Sequence, residues 1–337
     1  MIIDAHAHLV APPELYVYKA NLQSNHGAHG KGSPGISDER LAQFAAENVA
    51  LMDEVGTDVQ LLSPRPYMLM HSEQPESIVR WWVEWNNDLI ARTVALHPDR
   101  FRGVAALPQA PRLGAAAWLD ELDRCVTELG FVGVLLNPDP YEGLGDSPPL
   151  SDEYWYPLYE RMVALDVPAL IHSAACRNPR ESYSEHFVTE ESIAVLHLAK
   201  SRVFLDFPDL KIVVSHGGGS VPYQIGRWKA ARAHARLGAA DQLREPFEDS
   251  LRRMWFDTVL HEPAALELLL RTVGPDRCLF GTERPGSGSA RNPATGRQFD
   301  DLKPVIEEIA WLSPDERALV FEGNARRLYR DLPQKEA

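Results

Sequence analysis

Residues 1–8 read MIIDAHAH, a short apolar run that ends on His6 and His8. A strand has a side-chain period of two, so both imidazoles point to one side. Two rings leaving a buried strand together are either half of a metal site or a polar strand exit, and the rest of the chain must decide. No glycine-rich phosphate fingerprint follows this first strand, which argues against a doubly wound open sheet. Further β-rich runs follow: DVQLLSP from Asp58, FRGVAALPQ from Phe101, FVGVLLNP from Phe131, VPALIHS from Val167, LKIVVSHGGG from Leu210, MWFDTVLH from Met254 and RCLFGTERPG from Arg277. Amphipathic stretches such as DERLAQFAAENVALMDEVG, AAAWLDELDRCVTELG and PAALELLLRTVG lie between them, each closing at a glycine, a common helix stop. Alternation of helices with near-continuously apolar strands predicts a parallel sheet. Eight such units predict a closed (β/α)8 barrel of the TIM type, and a chain of 337 residues suits one such domain spanning 1–337.

The formal net charge of -14, with no basic run or tail, argues against nucleic acid and against an anionic membrane as partners. It also means that an anionic substrate must be held by local arginines. Cys125, Cys176 and Cys278 are widely spaced and odd in number, which fits a reducing compartment. With no signal-like leader and no run long enough to span a bilayer, the expected location is the cytoplasm. Trp81, Trp82 and Trp85 in WWVEWNN suit core or subunit packing, and a homo-oligomer, a dimer first, is the expected assembly. Residues 11–37 and 284–299 do not belong to a minimal barrel; both read as loops at the catalytic face, after strands one and eight.

The strand ends form a set. Strand one ends with His6 and His8, strand four with Asn137, strand five with His172, strand six with His216 and strand eight with Glu283. All fall where barrel enzymes keep their sites. His6, His8, His172 and Glu283 make a nitrogen-rich donor set that suits one zinc ion, with manganese or iron as alternatives. Glu283 is read as the exchangeable fourth ligand and also as an acid/base. His216 is left for proton transfer, and the sequence does not distinguish which of the two is acid and which base. Arg65, just past strand two, suits bidentate binding of a carboxylate. Tyr223, beyond glycines whose amides suit an anion, and Arg291, in the loop after strand eight, complete a cradle with Asn137. His97, His197 and His234 read as helix residues, and His71 as a weaker candidate near the exit of strand two.

The motifs DAHAH, IHS, SHGGGSVPY, the carboxylate after strand eight and the terminal FEGNARRLY resemble the metal-dependent amidohydrolase superfamily, in its amidohydrolase-related branch, over nearly the full chain. Most of that branch looks like nonoxidative decarboxylases of aromatic or unsaturated acids, with an aspartate in a GSD-like motif after strand eight. Here the motif is GTE, with Glu283. Together with LLSPRP, LLNPDP and NPATGRQFDD, that departure makes the chain most similar to the hydratases of the branch. The resemblance implies a zinc-dependent hydro-lyase that adds water to the double bond of a small polycarboxylate in the breakdown of lignin-derived aromatics. A decarboxylase on the same scaffold is the alternative. A lactone or amide hydrolase and a metal-stabilised binding protein are weaker readings. The last is disfavoured because no cysteine joins the histidines, as closed structural zinc sites would have it.

Overall fold

The computed structural model describes residues 1–145 and 147–334. Its strands are β1 (Ile3–His8), β2 (Val59–Ser63), β3 (Phe101–Ala105), β4 (Gly133–Leu136), β5 (Ala169–Ile171), β6 (Ile212–Val214), β7 (Trp255–Asp257) and β8 (Cys278–Leu279). They pair in parallel in chain order from β1 to β8. The remaining seam closes just past the β8 ladder, where Ala5 N donates to Phe280 O (2.8 Å) and Glu283 N to His6 O (2.7 Å). The result is the expected (β/α)8 barrel. Strands such as GVLL in β4 and IVV in β6 are buried throughout, as strands covered by helices on one side and the barrel interior on the other must be.

The helices that position the site are α1 (Pro13–Asn25), α2 (Asp38–Val55), α3 (Glu76–Leu96), α4 (Ala116–Thr127), α5 (Tyr156–Leu165) and α6 (Tyr183–Lys200). Helix α2 starts at Ser37, whose side chain accepts from Arg40 N (3.2 Å), and stops at left-handed Gly56. Such a cap contributes about 1 kcal/mol. Helix α4 turns one stripe inward, burying Trp118, Leu122, Cys125 and Val126.

Below the barrel mouth, buried Asp4 fastens three strands. It accepts from Thr282 Oγ1 (2.6 Å), Thr282 N (3.0 Å) and Gln60 Nε2 (3.1 Å). Burial pushes its carboxyl up to about 7 against these bonds. At the other end of the motif list, Asn324 of FEGNARRLY donates to Cys278 O (2.7 Å) and Pro275 O (2.8 Å), so this asparagine ties the C-terminal helix under β8.

The segment 11–37 is not a loop throughout, because Pro13–Asn25 forms α1. Its Leu15, Tyr18 and Leu22 are buried at helical spacing. Tyr18 stacks on Trp82 and meets Trp85 edge-on, so these tryptophans pack α3 beneath α1. The loop after β8 is cross-linked: Arg284 Nη1 donates to Asp300 Oδ1 (3.0 Å) and Ser289 Oγ to Asp300 Oδ2 (2.6 Å). Among the described residues no helix is long and apolar enough to cross a membrane.

Candidate active site

At the mouth of the barrel, one ligand atom each from His6, His8, His172 and Glu283 lies within 4.8 Å of the others. The strand period explains the pair from β1. Neighbouring strands explain how each ring is turned. His6 Nδ1 bonds Asp257 Oδ2 (2.6 Å), His8 Nδ1 bonds Ser63 Oγ (2.9 Å), and His172 Nδ1 bonds Ser173 O (2.7 Å). With the proton on Nδ1 in each case, the Nε2 lone pairs converge on the centre, and all three Nε2 atoms are buried without a partner. Burial holds the pKa of all three rings below the ordinary histidine value, so they are neutral donors. Three orphaned imidazole nitrogens facing a carboxylate fit a divalent cation. Gly281 is needed beside them, since a Cβ there would come within 3.0 Å of His6 Cβ and 3.1 Å of Asp257 Cβ.

Glu283 closes the ring of donors loosely. Its Oε1 stands 3.6 Å from His8 Nε2 and 4.0 Å from His172 Nε2, and its Oε2 stands 3.9 Å from His216 Nε2. Among the described residues its one side-chain hydrogen bond is a long one, from Ser287 Oγ (3.5 Å). Burial would raise its pKa, but His216, His8 and His6 more than offset that and hold it far below the usual carboxylate range.

His216 is set the opposite way. Its Nδ1 bonds Glu191 Oε2 (2.8 Å), a fully buried carboxylate on α6. Burial alone would lower the pKa of this ring, but Glu191, with help from Glu283, raises it well above the ordinary value. The ring lies flat against Phe187 (6.0 Å, 9°). His216 and Glu283 both have left-handed backbone, φ 49° and 58°. The glycines after His216 permit a close approach to β7: a Cβ on Gly218 would come within 2.7 Å of the Phe256 ring. The amide of Gly217 donates to Asp257 Oδ1 (3.2 Å), so the carboxylate these glycines serve belongs to the protein itself.

A cleft of about 500 Å³ opens over the cluster, lined by His8, Arg65, Tyr67, Tyr183, Phe187 and Glu283 among others. Arg65 is half-buried. Among the described residues no carboxylate lies within 4.0 Å of it. A guanidinium in a cleft with no protein carboxylate at ion-pair distance is available to an external one.

Three expected members of the cradle are elsewhere. Asn137 is buried, but its Nδ2 donates to Asp139 O (3.0 Å) and its Oδ1 accepts from Asp139 N (3.1 Å), so its amide is spent on its own turn. Tyr223 is 76% exposed and lines an adjoining apolar groove instead. Arg291 is exposed, with Nη1 turned to Gly296 O (2.6 Å). His71 is buried with both ring nitrogens unpartnered, its pKa lowered to about 3 by burial, and is absent from the cleft lining. Sequence reasoning missed Asp257, which the strand-end rule that found His172 would also have picked out. It missed Glu191, Phe187 and Tyr183 because they arrive on a helix, and no local signal separates them from ordinary helix residues.

The sequence matches the family model described as amidohydrolase over residues 3–330. The chain belongs to the amidohydrolase family. This amidohydrolase is 37% identical over 342 residues to the 2-keto-4-carboxy-3-hexenedioate hydratase of Sphingobium sp. (strain NBRC 103272 / SYK-6), covering 99% of this chain and 98% of that protein. It superposes on the crystal structure of 4-oxalomesaconate hydratase from Rhodopseudomonas palustris with a TM-score of 0.87 and 35% identity, covering 98% of this chain and 95% of the other. The dihydroxybenzoic acid decarboxylase from Polaromonas sp. JS666, solved with bound manganese and 2-nitroresorcinol, matches with a TM-score of 0.71 and 26% identity over 97% of this chain and 96% of its own.

Proposed function

We propose that this amidohydrolase is a metal-dependent hydratase, a carbon–oxygen lyase that adds water to the C=C bond of 4-oxalomesaconate to give 4-carboxy-4-hydroxy-2-oxoadipate. The observation that carries the proposal is Glu283, held among three inward Nε2 atoms and, among the described residues, given one long hydrogen bond of its own; the resemblance gives the decarboxylase-like members an aspartate in that motif. The full-length likeness to a hydratase supports it. His6, His8, His172 and Glu283 would hold the metal, and zinc suits this donor set, with manganese the ion in a decarboxylase relative. Bound there, a divalent cation would act as a Lewis acid toward the oxygens of the 2-oxo end of the substrate.

The charge states of the protein groups support one assignment of the proton transfers. The reacting form is the tautomer with the double bond between C3 and C4, conjugated to the 2-oxo group, as in the name of the hydratase relative: as that bond breaks, the hydroxyl of water forms its new bond at C4 and a proton is delivered to C3. Glu283, held anionic, is the group suited to take the proton from water. His216, held cationic by Glu191, is suited to donate to carbon. Arg65 binds one substrate carboxylate, and the Tyr67 and Tyr183 side chains line the wall against which the rest of the molecule lies. The test is incubation of the metal-loaded enzyme with 4-oxalomesaconate. Loss of the conjugated absorbance, a product heavier by one water, and no carbon dioxide are expected. Release of carbon dioxide without water uptake would assign the site to decarboxylation instead.

A further inference from the structure

Helix α6 brings Phe187 and Glu191 to His216, but its first turns also carry His186 and Glu190, which belong to a second cluster. His186 is 1% exposed. Its Nδ1 bonds Glu181 Oε2 (3.1 Å), which directs Nε2 toward Asp139 Oδ2, 3.5 Å away. That Nε2 is buried and has no hydrogen-bond partner among the described residues. Ligand atoms of Asp139, His186 and Glu190 lie within 4.8 Å of one another, and Cys176, Glu181 and His186 form a second such set on the other side of the ring. Asp139 is held in place by Gly143 N (2.6 Å), Tyr141 N (3.2 Å) and the Ser147 hydroxyl.

The charges do not balance within the protein. Arg177 is committed to Glu73 and Glu142. Among the described residues, the one base in an ion pair with Asp139 or Glu181 is His186 itself. Glu190, one turn further along α6, is half-buried in the same cluster and makes no ion pair among the described residues. Two carboxylates therefore compete for one imidazole nitrogen that neither fully engages. A bound cation would answer both the orphaned lone pair and the excess negative charge.

We propose that Asp139, His186 and Glu190 form a second divalent-cation site, separate from the cluster at the barrel mouth. One imidazole and two carboxylates suit zinc, manganese, iron or cobalt rather than calcium. A cation there links the loop after β4 to the start of α6. It therefore steadies the helix that carries Phe187 and Glu191 to the cleft, a positioning role that holds whichever reaction the cleft performs.

The experiment is metal analysis of the full chain, stripped of metal and then titrated with Zn²⁺ or Mn²⁺, together with anomalous diffraction from Mn²⁺-soaked crystals. Wild type should take up two equivalents, with one anomalous peak between His186 Nε2, Asp139 and Glu190. His186→Gln and Glu190→Gln should each lose that peak, or weaken uptake there at least tenfold, while keeping the equivalent at the barrel mouth. His172→Ala should show the reverse. A wild-type crystal with no peak at His186 in millimolar Mn²⁺ would overturn the proposal and leave His186 as a hydrogen-bond partner of Glu181 only. Two equivalents retained in Glu190→Gln, with the peak still at the mouth and elsewhere, would also overturn it. Because the wild-type map is decisive alone, a variant that fails to fold does not rescue the idea.

Discussion

His6, His8 and His172 stand on or just past regular strands, whereas His216 and Glu283 occupy left-handed backbone (φ 49° and 58°), where a non-glycine residue costs about 1–3 kcal/mol. The two sides of the barrel mouth also differ in charge. The three strand histidines point Nδ1 at Asp257, a serine hydroxyl and a backbone carbonyl, and burial keeps them neutral. His216 points Nδ1 at buried Glu191, whose charge raises the pKa of the ring well above the ordinary value against the effect of burial. One residue type on one face thus has its pKa moved down or up according to its partner. The strand side holds; the strained side is aimed.

The largest effect should come from breaking the holding side. His172→Ala should lose most of the metal at the mouth and abolish turnover, while the barrel remains folded on its own core. Metal analysis and circular dichroism check this, and a fully loaded, active variant would remove His172 from the donor set. The same depressed pKa values predict a pH dependence. Protons compete with the cation only below the ordinary histidine range, so affinity should change little from pH 8 to 6.5 through these rings and fall in more acid solution.

Breaking the aimed side should separate binding from chemistry. Glu283→Gln keeps an oxygen that can face a metal but cannot exchange a proton near neutral pH. Much of the metal and substrate binding should survive while kcat falls about 10²–10⁴-fold. Parallel loss of metal and activity would reduce Glu283 to a ligand. Arg65→Met should come next: it removes a half-buried guanidinium, at about 2 kcal/mol, or roughly a thirtyfold rise in KM. An unchanged KM would place the substrate carboxylates elsewhere.

Glu191→Gln sharpens the contrast further. His216 has a raised pKa, so its proton is present at lower pH and lost as pH rises through that raised value. Without the Glu191 charge that value drops, and the alkaline limb of kcat/KM should move to lower pH. A profile unmoved by the substitution would show that His216 is not the titrating acid.

The same contrast explains what could be read from sequence. A strand end announces itself, because a polar residue closing a buried apolar run needs a reason, and so His6, His8, His172, His216 and Glu283 were all legible as members of one face. Asp257 was legible by that rule and overlooked. Glu191 and Phe187 were not legible, because their approach to His216 depends on how α6 packs across the barrel. Helix α1 was hidden for a related reason: Leu15, Tyr18 and Leu22 have helical spacing, but the glycines that follow them dominate the segment's composition. Loop residues fared worst. Asn137, Tyr223 and Arg291 follow strands in sequence, and proximity in sequence says nothing about where a turn sends a side chain.

The smallest effects should therefore come from residues that sequence placed in the cradle and the fold did not. Tyr223 is 76% exposed and lines a groove with Pro222, Leu260 and Leu268, outside the cleft over the cluster. Arg291 makes a hydrogen bond to Gly296 O within its own loop. An exposed contact of that kind is worth at most about 0.5 kcal/mol of stability. Tyr223→Phe and Arg291→Ala should each leave kcat and KM within about twofold of wild type, since neither residue lines the cleft that holds Arg65. Of the two, Arg291→Ala is the sharper probe. The charge of a free guanidinium near the mouth acts over about a Debye length, roughly 8 Å at physiological salt. If the loop folds over a polycarboxylate during turnover, the variant should raise KM most at low ionic strength. A KM that stays put from low to high salt is the expected result. It would confine substrate recognition to the walls of the cleft, with Arg65 as its one arginine.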